Sequence, residues 1–233
     1  MLWKDNQGHW LVSTPSLEKA VRLESSLGLP HDEQRLLCER VAAAFRFMNC
    51  PSELDVVGAP EIFFKQSIEQ LGIFYPGSFN PWHLGHRAVT ELCPHPVIVV
   101  PDRNPWKELR FADGPWDRCL KIALALKETK HSVYPGFAYG DRANPTYDWM
   151  KMVTLPKRAL LLGDDAFLSL NRWHRFSDLL QELVAIYVAP RGESGEELER
   201  QRERVLERAP ALRVHFLANH DYEDLASSKL RKN

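Results

Sequence analysis

The stretch that decides how this chain is read is Ile73-Phe74-Tyr75-Pro76-Gly77-Ser78-Phe79-Asn80-Pro81-Trp82-His83-Leu84-Gly85-His86. Ile73, Phe74 and Tyr75 have the character of a buried strand. Pro76, Gly77 and Ser78 interrupt it, an irregular loop follows, and a helix is expected to start near His83. Gly77 carries no Cβ and so lets a ligand come close to the backbone. The N–H groups at a helix start, helped by the helix dipole, make an anion site. His83 and His86 are three residues apart, so on a helix they share one face and both point at an anion held there. Imidazole donors in that place offset charge as it builds on a phosphate. A single histidine there would read as a packed or capping residue. Two His, two Gly and two Pro at fixed spacing directly after a strand read as a phosphate loop.

Outward from that stretch, short apolar runs alternate with helical segments. The runs are Ile73 to Tyr75, Pro96 to Val100, Arg158 to Leu162, Leu183 to Val188 and Leu212 to Leu217. Helices are expected from near His83, over Trp116 to Glu128, Thr146 to Val153, Phe176 to Glu182 and Glu196 to Arg208. Near-continuous apolar strands separated by helices predict parallel strands buried on both faces. The expected fold is α/β, a doubly wound parallel sheet with right-handed crossovers and ligands outside the carboxyl ends of the strands. Upstream, the pattern is helical. One helix is expected from Thr14-Pro15 to a stop at Gly28 and Pro30, and a second from about Asp32, with Leu37, Val41, Ala44, Phe45 and Met48 at helical spacing. A third starts near Pro60, with Phe64, Ile68 and Leu71 on one face and Gly72 as its stop. Residues 1–72 are therefore expected to be a helical N-terminal extension that packs on the main domain as a cap, and residues 73–233 that domain.

The bulk properties exclude several classes. The formal net charge is -1, so no global basic field exists to hold nucleic acid. No apolar run approaches the ~18–20 residues that span a bilayer, and the first residues lack the charged-then-apolar order of a secretion signal. Cys38, Cys50, Cys93 and Cys119 form no CxxC pair, which leaves them as reduced, mostly buried thiols. A cytoplasmic protein without membrane or nucleic-acid partner is expected, and no metal-ligand cluster is seen.

The segment Gly77 to His86 resembles the GxFxPxHxGH signature of the HIGH-type nucleotidyltransferases, and within them it is most similar to the nicotinate/nicotinamide mononucleotide adenylyltransferases. The resemblance implies a Rossmann-like nucleotidyltransferase domain. It implies that Gly77, Ser78, Phe79 and Gly85 cradle ATP, that Asn80 meets the second substrate, and that His83 and His86 stabilise the pentavalent centre at the α-phosphate. Val100-Pro101 through Pro105-Trp106-Lys107 resembles a VPxxxPxK segment whose lysine, here Lys107, reaches the phosphates. Pro145-Thr146-Tyr147-Asp148 resembles a PSYT segment beside the pyridine nucleotide, with Asp148 where the segment has Thr. Leu162-Gly163-Asp164-Asp165 resembles a GxD segment on the ATP side, represented by Gly163 and Asp165; Asp165 also reads as a helix cap. Arg172-Trp173-His174-Arg175-Phe176 resembles RWHRW, with Trp173 stacking on the pyridine ring and Arg172 beside it. Leu225 to Arg231 resembles ISSTxIR, with Ser227, Ser228 and Arg231 on phosphates and Ala226 in place of the first Ser.

The reaction implied is in-line attack by the 5′-phosphate of a pyridine mononucleotide on the α-phosphate of ATP, with pyrophosphate leaving. It needs alignment and charge stabilisation rather than a protein nucleophile. Mg²⁺ is expected to arrive with ATP, bridging phosphates and keeping most of its water. Two other readings stand beside this one. One is a sister enzyme of the phosphopantetheine adenylyltransferase type, which Tyr75 to Phe79 suits and the RWHRF segment does not. The other is a catalytically idle nucleotide-binding or partner-binding module. Asp148 itself is read two ways: as an acceptor for the amide of nicotinamide, or as a residue at a helix start.

Overall fold

The computed structural model describes residues 2–4, 10–12, 21–22, 71–102, 115–134, 145–151, 153, 155–190, 192 and 195–222. Near the N-terminus, β1 (Leu2–Lys4), β2 (Trp10–Val12) and β3 (Val21–Arg22) form an antiparallel sheet in that order. This corrects the expectation of helix from Thr14 to Gly28, because Val21 and Arg22 pair with Val12 and Leu11. At Val21 and Arg22, pairing with a neighbouring strand outweighs the start signal at Thr14-Pro15 and the stop at Gly28, and Val21 is β-branched, which favours strand. The helices expected from Asp32 and from Pro60 lie outside the described residues, apart from Leu71 and Gly72, the expected end of the one from Pro60.

The main sheet contains β4 (Leu71–Gly77), β5 (Val97–Pro101), β6 (Ser132–Val133), β7 (Lys157–Gly163), β8 (Ala185–Ala189) and β9 (Arg213–Phe216). Its order is β6-β5-β4-β7-β8-β9, and every pairing is parallel. The chain starts in the middle, winds outward through β5 and β6, returns beside β4 as β7, and winds out the other way. That is the doubly wound order, and its switch point lies between β4 and β7. The helices between strands are α1 (Leu84–Leu92), α2 (Pro115–Ala125), α3 (Thr146–Met150), α4 (Asp164–Leu168), α5 (Phe176–Gln181) and α6 (Gly195–Arg208). Among the described residues no helix is long and apolar enough to cross a membrane.

The strands read as unbroken apolar runs because both faces are covered. Val97 to Val100, Ala159 to Leu162 and Ile186 to Ala189 are all buried. Phe74 is fully buried and meets Trp149 of α3 edge-on at 5.5 Å, a favoured aromatic geometry. Gly72 is a strand residue rather than a helix stop: it pairs with Arg158. A Cβ at position 72 would lie 2.3 Å from Leu155 Cδ1, so glycine is there for space. The strand thus begins two residues before the expected boundary.

In the main domain, β6 and α4 were not expected. β6 is two residues long; next to it, buried His131 accepts the N–H of Val97 on Nδ1 at 3.0 Å. α4 begins directly after β7 and lasts one turn. Such short pieces have no period to read.

Candidate functional site

The carboxyl ends of β4 and β7 flank the switch point, and the first carries the loop quoted above. The carbonyl of Gly77, last residue of β4, accepts the N–H of Asp102 at 2.9 Å. The carbonyl of Ser78 accepts Arg118 Nη1 at 2.9 Å. Phe79 then takes the left-handed conformation, with φ 44°, and its ring folds back over Gly77. A Cβ on Gly77 would sit 3.0 Å from that ring. The Phe79 side chain is core, edge-on to Tyr75 and to His86 at 5.0 Å each, so what Phe79 can offer a ligand is its backbone. Asn80 is buried and joins Pro81 through a cis peptide.

His83 is not inside the helix; it is the N-cap of α1, in extended conformation at φ −147° and ψ 172°. The expectation that both histidines lie on a helix is corrected in that respect, while their shared face is found. Their rings stack with centroids 3.7 Å apart, and both residues are buried. The N–H of His83 reaches His86 Nδ1 at 3.4 Å, the reach-back half of a capping box. A neutral His86 that accepts on Nδ1 carries its proton on Nε2 and donates there. Capping is compatible with an anion site, because the pair sits at the end of the helix that attracts anions. The ring of Trp82 leans on His86 at 5.3 Å and on Phe79 at 5.4 Å.

Gly85 has a structural duty. A Cβ there would lie 3.0 Å from the Tyr222 carbonyl oxygen and 3.1 Å from the His83 ring. The glycine lets the segment that ends at Tyr222 close over the start of α1. That segment runs on in sequence to Ser227, Ser228 and Arg231, which lie outside the described residues, as does Lys107.

At the neighbouring strand end, Gly163 is the N-cap of α4. Of the two acids that follow, Asp164 is buried and its Oδ1 accepts the N–H of Asp165 at 2.8 Å. Asp165 is exposed in the first turn, where a carboxylate interacts favourably with the dipole. The helix thus has no side-chain bond from its N-cap, and the acid that accepts a first-turn N–H is Asp164, which had no assigned role.

The remaining candidates come together from separate segments. Thr146 and Tyr147 are buried in α3, while Asp148 in its first turn is exposed. His174 Nε2 lies 3.8 Å from Asp148 Oδ1. The Arg175 guanidinium stands 4.5 Å from the centre of the Tyr147 ring, and Lys151 Nζ is 4.7 Å from it, both within cation–π range. Arg175 has φ 52° and starts α5, with Nε on Asp178 at 2.7 Å. Trp173 is half-buried against the core, and Arg172 is exposed. The PTYD and RWHRF segments therefore meet, through His174 and Arg175, which sequence reasoning quoted without assigning.

Arg118 was missed outright. It is buried among Cys119, Ile122 and Ala123 of α2. The signal was present: an arginine within the apolar stripe of a helix needs an interior partner. The two described cysteines, Cys93 and Cys119, are free and buried, and burial pushes their thiols up to about 11 and about 12, so neither is a nucleophile near neutral pH. Among the described residues no group of three or more His, Cys, Asp or Glu could hold a metal ion.

No protein-family model matches the chain. Among curated proteins, it is 30% identical over 142 residues to a probable nicotinate-nucleotide adenylyltransferase of Carboxydothermus hydrogenoformans, covering 54% of this chain and 68% of the relative. A protein of the same description from Xylella fastidiosa strain M12 is 32% identical over 135 residues, covering 52% of this chain and 60% of the relative. Another, from Pelobacter propionicus, is 27% identical over 181 residues, covering 67% and 83%. The chain thus spans about 60% of the length of the Xylella relative.

Proposed function

The chain belongs to the nicotinate-nucleotide adenylyltransferase family, and from that premise we propose that it joins ATP to nicotinate mononucleotide, releasing pyrophosphate, in NAD biosynthesis. The observation that carries the reading is the stacked pair His83 and His86 at the N-terminus of α1, directly beyond the carboxyl end of β4.

In this reading the helix start and the loop N–H groups hold the phosphates of ATP, and His86 Nε2–H donates to the α-phosphate as charge develops there. His83, stacked beneath, keeps that ring in place and adds a second donor. Lys107, Ser227, Ser228 and Arg231 extend the same phosphate site, by the resemblance of their segments. Gly85 supports this for the last three, since it admits the segment that leads to them. Asp165, exposed beyond β7, faces the nucleotide side. Mg²⁺ comes with ATP, held by phosphate oxygens and water, the coordination this ion prefers.

Thr146, Tyr147 and Asp148, with Arg172 and Trp173, form the pyridine side. The half-buried Trp173 is suited to stacking, since it keeps one surface for a ring. The cytoplasm is the proposed compartment, and the residues before Leu71, where β4 begins, are proposed as an extension of the catalytic domain.

The test supplies ATP and Mg²⁺ and offers nicotinate mononucleotide, nicotinamide mononucleotide and phosphopantetheine in turn, with pyrophosphate release as readout. Release with a pyridine mononucleotide and not with phosphopantetheine is expected. Release with phosphopantetheine alone identifies the sister enzyme, and no release with any acceptor identifies an idle module.

A further inference from the structure

Arg118 stands on α2, outside the segments assigned to the substrates in sequence, and is 3% exposed. A guanidinium is kept in an interior only where hydrogen bonds compensate its lost water. Its neighbours on the helix, Cys119, Ile122, Ala123 and Leu126, are all core. Packing alone would be served better by an apolar residue. Among its contacts is a hydrogen bond from Nη1 to the carbonyl of Ser78, 40 positions earlier in the chain.

That bond fixes more than one atom. A trans peptide is planar, and its C=O and N–H point in opposite directions. Among the described residues the cis peptide is Asn80–Pro81, so the Gly77–Ser78 and Ser78–Phe79 peptides are trans. Drawing the Ser78 carbonyl toward α2 therefore turns the Phe79 N–H away from α2. The bond from Asp102 to the Gly77 carbonyl does the same for the Ser78 N–H. Both carbonyls are occupied, so the Ser78 and Phe79 N–H groups, at the opposite edges of those peptides, are turned away from these two partners; successive backbone N–H groups of a loop are the kind of donor that binds anions. Phe79 holds φ 44°, a conformation a non-glycine residue keeps only under restraint. A charged donor also polarises the carbonyl, which strengthens the N–H at the other edge of the same peptide.

We propose that Arg118 is a positioning residue for the reaction: through the Ser78 carbonyl it sets the Phe79 N–H toward a phosphate of the bound nucleotide. This rests on the adenylyl-transfer reading for its kinetic consequence and on the loop geometry alone for its binding consequence. Arg118 itself touches no substrate.

The experiment uses the full chain as wild type, Arg118→Met and Arg118→Lys. It reads steady-state turnover of ATP and nicotinate mononucleotide, and the amide resonance of Phe79 during titration with inorganic pyrophosphate. Arg118→Met should lower kcat by about 10- to 100-fold, less than full loss of a transition-state donor, with KM for the mononucleotide within about threefold. Arg118→Lys should recover most of that loss, since an ammonium can still donate to the carbonyl. Pyrophosphate should shift the Phe79 amide in wild type and Arg118→Lys and leave it unmoved in Arg118→Met. The amides of Ile186 and Val188 in β8 serve as the control for an intact fold.

A folded Arg118→Met with kcat within about twofold of wild type, or with an unchanged Phe79 response, overturns the proposal. So does a wild-type Phe79 amide that ignores pyrophosphate. If Arg118→Met does not fold, Arg118→Gln, whose shorter side chain cannot span to the Ser78 carbonyl, takes its place under the same two criteria. If wild type turns over no pyridine mononucleotide, the adenylyl-transfer reading falls, and the Phe79 titration alone judges Arg118.

Discussion

The phosphate loop and the pyridine-side contact are built on opposite plans. Gly77 to His86 is one continuous segment whose key side chains, Phe79, Asn80, His83 and His86, are buried, and whose first two carbonyls are tied at 2.9 Å. The pyridine side joins residues 145–148 to residues 172–175 through groups that are about half exposed: Asp148 and His174 at 53% and 54%, and Arg175 at 49%. Buried, tied groups hold the geometry that phosphoryl transfer requires. Exposed groups at 3.8 Å and 4.5 Å are screened and adjustable, and each contributes little to stability. Under the proposed function the buried loop performs the chemistry and the exposed contact chooses the acceptor, and mutations should then divide along that line.

The largest effect is expected at the histidines. His86→Ala should lower kcat by about 10²–10³-fold, the usual loss for one transition-state donor, with smaller change in ATP affinity. His83→Ala should act alike through the lost stack and donor. Stopped assays with wild type and both variants measure this, and near wild-type turnover in both would erase the distinction between the two regions.

Gly85→Val comes next. Its side chain would meet the Tyr222 carbonyl at a distance of 3.0 Å or less and the His83 ring at 3.1 Å. Overpacking of this kind costs about 1–3 kcal/mol, so thermal unfolding should shift to lower temperature and activity should fall with it. A variant as stable and active as wild type would mean that the segment ending at Tyr222 does not close over α1.

At the pyridine side the effects should be smaller and should fall on the acceptor. Arg175→Ala removes the exposed cation–π contact with Tyr147. It should raise KM for the mononucleotide by about two- to fivefold, with kcat and KM for ATP little changed. A loss in kcat instead would place Arg175 with the chemistry.

The smallest effect concerns base choice. Asp148 is an anion in the first turn of α3, with His174 3.8 Å away. Like charges at about 4 Å cost on the order of 1 kcal/mol in water and about 4 kcal/mol at an effective dielectric of 20. The exposure of Asp148 argues for the lower figure. Asp148→Thr should shift the ratio of kcat/KM values a few-fold toward nicotinate mononucleotide over nicotinamide mononucleotide. An unchanged ratio, measured under one set of conditions, would remove Asp148 from specificity.

The same division explains what could be read in the sequence. The loop was legible because its residues are adjacent: strand, Gly77, Pro81, His83 and His86 follow one another, and their contacts are local. The alternation of apolar runs such as Val97 to Val100 and Leu160 to Leu162 with helical segments was enough for the parallel sheet, since both faces are buried. Pairings between distant positions were not legible. The His174–Asp148 and Arg175–Tyr147 contacts depend on how α3 meets α5. The choice of Asp164 as the buried acid of the pair depends on how β7 turns into α4. Arg118 was visible only as a misplaced charge, and its partner at Ser78 lay 40 residues away. In the N-terminal segment the start and stop signals at Thr14-Pro15 and Gly28 were followed where the pairing of Val21 with Val12 makes strand.

The most direct test of the account is stoichiometry in a single reaction of wild type with ATP, Mg²⁺ and nicotinate mononucleotide, followed by chromatography of all products. The account predicts one adenine dinucleotide formed for each pyrophosphate released, with His86→Ala binding ATP and forming little of either. Pyrophosphate or phosphate released without the dinucleotide, or dinucleotide formed at the wild-type rate by His86→Ala, would contradict it.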